Sequence, residues 1–139
     1  MNNESAVPHY TVTAGVVWDR SSSSRVLIAK RHDGDARGGL WEFPGGKQEP
    51  GESLEGCLAR ELREELGIEV EVRDQFITVE HTYQDLRITL HAFHCRILRG
   101  QPRAIACQKW KWVKIDELAK YTFSAADEHI VADLQSTDF

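Results

Sequence analysis

GKQEPGESLEGCLARELREELGI, Gly46 to Ile68, is the stretch on which the reading of the chain turns. Its second half, Leu54 to Leu66, predicts a helix. Ser53 is placed as the N-cap, where a hydroxyl accepts from an otherwise orphaned amide. Leu54, Leu58, Leu62 and Leu66 recur every four residues and make one apolar stripe. Gly67 follows where a left-handed C-cap sits. With the leucines in the core, Glu61, Glu64 and Glu65 become neighbours on another face, because residues three and four apart meet on a helix.

Two readings of that face stay open on the residues alone. It is a solvated surface if Arg60 and Arg63 pair with the glutamates. It is a cation site if the carboxylates face inward together. FPGGK, just before, brings backbone carbonyls near the helix start, and Glu49 and Glu52 lie in the loop between. Carboxylates plus a carbonyl oxygen suit Mg²⁺ or Mn²⁺, bound together with substrate phosphates.

The spacing G-x5-E-x7-R-E-U-x-E-E-x-G-U, with U a bulky aliphatic residue, is met by Gly46, Glu52, Arg60, Glu61, Leu62, Glu64, Glu65, Gly67 and Ile68. The stretch therefore resembles the Nudix hydrolase family, and the resemblance extends over most of the chain. GLWEFPGGK resembles the MutT-type branch and the related CTP-type pyrophosphohydrolases. The resemblance implies an α/β fold, an α/β/α sandwich around a mixed sheet. It implies metal-dependent hydrolysis of a nucleoside triphosphate to monophosphate and pyrophosphate, with 8-oxo-dGTP ahead of CTP or 5-methyl-dCTP. A nucleoside diphosphate-linked substrate is a further alternative. A non-catalytic binding module fits poorly, since such modules usually lose glutamates that this chain keeps.

Carried onto this sequence, the resemblance gives Glu61, Glu64 and Glu65 as ligands of Mg²⁺ or Mn²⁺, with the carbonyl of Gly45. Glu52 and Arg60 orient the carboxylates, and Glu64 is the candidate general base. The branch has a further glutamate in the loop before the last strand; Ala106 stands there and cannot replace it. Arg31, Glu42, Phe43 and Lys47 fall where the family meets phosphate, sugar and base. Read by themselves, Phe43 is a core aromatic and Lys47 a surface lysine. Asp127, in FSAAD, replaces the Asn of purine-directed members and either reads the base or caps the last helix. Trp41, Trp110 and Trp112 stack on a base or fill the core, the commoner fate. His32, His81, His91, His94 and His129 share no metal spacing, and His9 lies in the start of the chain.

Composition sets the outer bounds. The 139 residues make one domain, 9–139, after a flexible start at 1–8. With 41% hydrophobic residues a normal core is available. A net charge of −5 leaves no basic footprint for duplex nucleic acid. The partner implied is a small nucleotide, with the chain a monomer or homodimer. Three cysteines without C-x-x-C spacing, and no signal or membrane-length run, predict a cytoplasmic protein. Strands are predicted at Tyr10 to Trp18, Arg25 to Lys30, Leu40 to Phe43, Glu69 to Val72, Phe76 to Tyr83, Leu86 to Leu98 and Lys109 to Val113. Asp19 to Ser24 and Arg73-Asp74 are predicted breaks, Ile115 to Ala119 a helical turn, and Ala125 to Gln135 a terminal helix.

Overall fold

The computed structural model describes residues 7–137. In order, the elements are β1 (His9–Asp19), β2 (Ser22–Lys30), β3 (Trp41–Glu42), β4 (Gly45–Lys47), α1 (Leu54–Leu66), β5 (Glu69–Thr82), β6 (Arg87–Arg99), β7 (Lys109–Lys114), a 3-10 helix (Ile115–Lys120) and α2 (Ala125–Ser136). The sheet runs β3-β2-β1-β6-β5, with β4 paired to β1 and β7 to β2. β1 and β6 are parallel, His9 against Arg87 through Trp18 against Arg96; the other pairings are antiparallel. The predicted mixed sheet and the α/β/α sandwich are what the chain forms.

Central β1 is buried on both faces, so Val16 and Val17 are both inaccessible. Val17 packs with Leu58, Leu62 and Leu66 of α1, and Val16 with Ile130 and Leu134 of α2. The α1 stripe is thus one wall of the core, as its spacing predicts. Both of its caps form: Ser53 accepts from the Gly56 amide at 2.9 Å, and Gly67, at φ 69°, donates to the Arg63 carbonyl at 3.0 Å. A left-handed φ is nearly free for glycine and strained for other residues.

Three predicted boundaries move. β5 runs unbroken through Arg73-Asp74, because register shifts against β6 around Gln75 absorb the extra residues without ending the strand. Ser22 to Ser24 belong to β2, since Asp19 closes the turn alone by accepting from the Ser21 amide at 3.0 Å and its hydroxyl at 2.9 Å. Pro8, expected in the flexible start, accepts from the Arg87 amide at 2.8 Å, and His9 opens β1 with its ring 2.8 Å from the Thr89 hydroxyl. Residues 1–6 lie outside the described residues.

Candidate active site

β4 lays the glycine turn against the Cys57 and Glu61 face of α1. Thr13 and Ala14 of β1 pair with Gly46 and Gly45. A Cβ on Gly45 would collide with the Thr13 carbonyl, and one on Gly46 with the Glu61 carboxylate. Glu61 is therefore pressed against bare backbone. The two glycines differ in what must move, a paired strand or the end of a flexible side chain. Gly45→Ala should destabilise by about 1–3 kcal/mol, as overpacking does. Gly46→Ala should cost less stability and more activity. Denaturant midpoints and turnover of both variants check this; equal midpoints would contradict it.

Arg60 organises the carboxylates. Its Nε donates to Glu52, and its Nη2 donates to Glu52 at 3.0 Å and to the Lys47 carbonyl at 3.1 Å. Its Nη1 reaches Glu61 at 3.3 Å and Glu64 at 3.2 Å. The forked guanidinium suits this bidentate geometry. Arg60, first, and the Glu49 amide hold the Glu52 carboxyl down at about 2. Glu52 and Arg60 thus brace the loop against the helix.

Beyond the glycines, a cavity of about 350 Å³ opens onto the sheet face that carries α2. Gly45, Gly46, Lys47 and Glu65 line it, together with Phe43, Ser124 and Asp127. Arg31 and Glu42 lie in its wall, 3.1 Å apart. Lys47 Nζ rests 4.0 Å from the centre of the Tyr10 ring. Phe43 is a core aromatic, 2% exposed and stacked on Phe123 at 5.4 Å, and it also lines the cavity. Trp41, Trp110 and Trp112 are absent from the lining and pack in the core or against it, and no histidine lines it.

Acidic side chains crowd this wall, and burial favours their protonated forms. Burial, then the charge of Glu42 and the neighbouring Glu61, push the Glu65 carboxyl up to about 9. Burial likewise raises Glu42, opposed by Arg31. Asp127 does not cap α2; Ser124 occupies that position. Ser124 instead donates its hydroxyl to Asp127 Oδ2 at 2.8 Å, while Oδ1, buried, has no hydrogen-bond partner. Burial, then Glu42, lift the Asp127 carboxyl to about 8, opposed by the Ser124 hydroxyl, Arg31 and the Phe43 amide.

Glu64 is placed differently from Glu65. Its side chain is 59% exposed, turned to Arg60, and outside the cavity lining. Ala106 does line the cavity, and its amide donates to the Glu65 carbonyl at 3.2 Å. The chain has no Asp or Glu between Asp85 and Asp116, so no carboxylate of that loop can take the missing place. Among the described residues no three His, Cys, Asp or Glu side chains converge as a metal cage. A Mg²⁺ site built from one or two carboxylates, water and substrate phosphate needs no such cage, and the donors at Glu61, Glu65 and Gly45 are the hard oxygens it takes. Sequence reasoning passed over Arg37 and Tyr83, which also line the cavity. Only the hairpin turn after Tyr83 marked their region.

A sandwich whose glycine turn presses on a glutamate helix, beside a cavity lined by acidic and aromatic side chains, is a nucleotide-hydrolase architecture. The chain belongs to the NUDIX domain family, whose model matches residues 13–133. It is 39% identical over 103 residues to the CTP pyrophosphohydrolase of Escherichia coli, covering 74% of this chain and 76% of that protein. It is 45% identical over 82 residues to the 8-oxo-dGTP diphosphatase of Proteus vulgaris, covering 59% and 71%. A solved MutT structure, from a study of the Aliivibrio salmonicida and Vibrio cholerae proteins, superposes with a TM-score of 0.74 at 35% identity, covering 92% of this chain and 98% of that one. Nudix hydrolases generally depend on a divalent metal. Among the described residues no helix is long and apolar enough to cross a membrane.

Proposed function

We propose that the chain is a nucleoside triphosphate pyrophosphohydrolase acting on oxidised guanine nucleotides such as 8-oxo-dGTP. A single cavity lined by both sets of residues supports this reading: one end takes the phosphates, at Gly45, Gly46 and Lys47, and the other the base, between Phe43 and Asp127. Four acidic residues, Asp35, Glu42, Glu65 and Asp127, share that cavity, and a divalent cation would offset charge on them and on the phosphates. Mg²⁺ or Mn²⁺ held by Glu61, Glu65 and the Gly45 carbonyl would supply it, polarising phosphate oxygens and making bound water more acidic. Water adds to phosphorus, one P–O bond breaks, and monophosphate, pyrophosphate and a proton leave. The chain contributes mainly position and charge. Arg60 and Glu52 fix Glu61, and Arg31 offers its fork to phosphate or sugar. The placement of Glu64 outside the cavity lining, which Glu65 reaches, favours Glu65 over Glu64 as the group that takes the proton. Three buried free thiols support a reducing compartment such as the cytoplasm.

A second reading, a cytidine nucleotide, rests on Asp127, because an ionised carboxylate accepts from an exocyclic amino group. The test is a panel of 8-oxo-dGTP, dGTP, CTP, 5-methyl-dCTP and ADP-ribose, assayed with Mg²⁺ and after chelation. The expected result is pyrophosphate release from a triphosphate, highest for 8-oxo-dGTP, and none in excess chelator. Activity that survives chelation and dialysis would sink the metal mechanism; CTP ranking first would favour the second reading.

A further inference from the structure

Arg37 is the one non-glycine residue with a left-handed backbone among the described residues, at φ 58°. Such strain persists only where the surroundings fix it, and it concentrates at ligand clamps. Here the surroundings are specific. The Arg37 guanidinium lies 4.4 Å from the centre of the Tyr83 ring, and its Nη1 donates to Asp85 at 3.1 Å. It thereby ties the loop between β2 and β3 to the hairpin turn between β5 and β6. That loop is fixed from inside as well: Arg31 Nε donates to the Ala36 carbonyl at 2.9 Å, and the Gly39 amide to the Arg31 carbonyl at 3.2 Å. Tyr83 carries the connection onward. Its hydroxyl accepts from the Ala126 amide at 3.0 Å, one residue before Asp127. A continuous line of contacts therefore runs from Arg37 through Tyr83 to the start of α2.

We propose that Arg37 and Tyr83 are a positioning pair for the nucleoside end of the cavity. Arg37 holds the loop across that end, and Tyr83 sets where the first turn of α2, and with it Asp127, stands. The pair acts on recognition of the base and leaves the phosphate end alone. This rests on the pyrophosphohydrolase reading above.

Three variants test the pair, with KM and kcat measured for the best nucleotide of the panel and for methyl triphosphate, which has no base. Arg37→Gly removes the guanidinium and relaxes the backbone. Tyr83→Phe keeps the ring and removes the acceptor for Ala126. Asp85→Asn keeps both and removes only the ion pair, the mildest of the three. Arg37→Gly should raise KM for the nucleotide about tenfold, the scale of one cation–π contact with an ion pair, with a much smaller change for methyl triphosphate. Tyr83→Phe should change the order of bases and speed hydrogen exchange at the Ala126 amide. Equal losses on both substrates, or unchanged KM and exchange, would overturn the pair as a positioning device. A wild-type protein inactive on every triphosphate would instead remove the reading on which the pair rests.

Discussion

Glu65→Gln should lower kcat by about a hundred- to ten-thousandfold, the range for losing a positioned acid–base group. Glu64→Gln should lower it far less, although the two residues are adjacent. The reason is placement. Glu65 lines the cavity and sits beside Glu42 and Glu61; Glu64 is 59% exposed and pairs with Arg60 in solvent. An exposed ion pair is worth about 0–1 kcal/mol, so its loss changes an equilibrium by about fivefold at most. The amide of glutamine has nearly the shape of the carboxyl group and, like the protonated form that burial favours in Glu65, carries no charge. The melting temperature of Glu65→Gln, measured without divalent metal, should therefore not fall. Single-turnover rates of both variants at saturating nucleotide decide the matter. Similar losses for Glu64→Gln and Glu65→Gln would mean that cavity position does not sort the two glutamates.

The contrast between Glu64 and Glu65 also marks what the sequence could show. The helix was legible, down to Ser53 and Gly67, because caps and a four-residue leucine spacing are local signals. The glutamate cluster was legible for the same reason. Which glutamate meets the cavity was not, because that depends on how β4 crosses the helix, fixed by pairing with β1 far away in the chain. The break expected at Arg73-Asp74 failed similarly: two turn-prone residues are carried through by β6, whose register absorbs them as bulges. Asp127 looked like a cap from its place near a helix start, yet Ser124, three residues earlier, takes that position. Arg37 gave no signal, since its strain and its contact with Tyr83 exist only once two distant loops meet.

Asp127→Asn should remove a pH dependence from both base choice and stability. Asp127 is 4% exposed, with Ser124 on one oxygen and nothing on the other. Burial and Glu42 raise its carboxyl from 3.8 to about 8. Near neutral pH it is then a neutral acid, a donor and an acceptor together, as the Asn amide is. Above pH 8 it is ionised and only accepts, which suits an amino edge such as that of cytosine. The ratio of kcat/KM for 8-oxo-dGTP over CTP should thus fall in the wild type as pH rises through about 8. In Asp127→Asn the ratio should stay level. One buried hydrogen bond is worth about 1–3 kcal/mol, or about 5- to 150-fold in that ratio. Stability follows with its own sign. The folded-state value lies above the unfolded one, so the folded chain keeps a proton that the unfolded chain has released. Stability is then greatest below about pH 4, declines by up to about 1.4 kcal/mol per unit as pH rises toward 8, and levels off beyond. Asn carries no such proton, so denaturation midpoints of the variant should lose this contribution to the slope. A wild-type ratio flat from pH 6 to 9, with parallel stability curves for both proteins, would show that Asp127 neither titrates in this range nor reads the base.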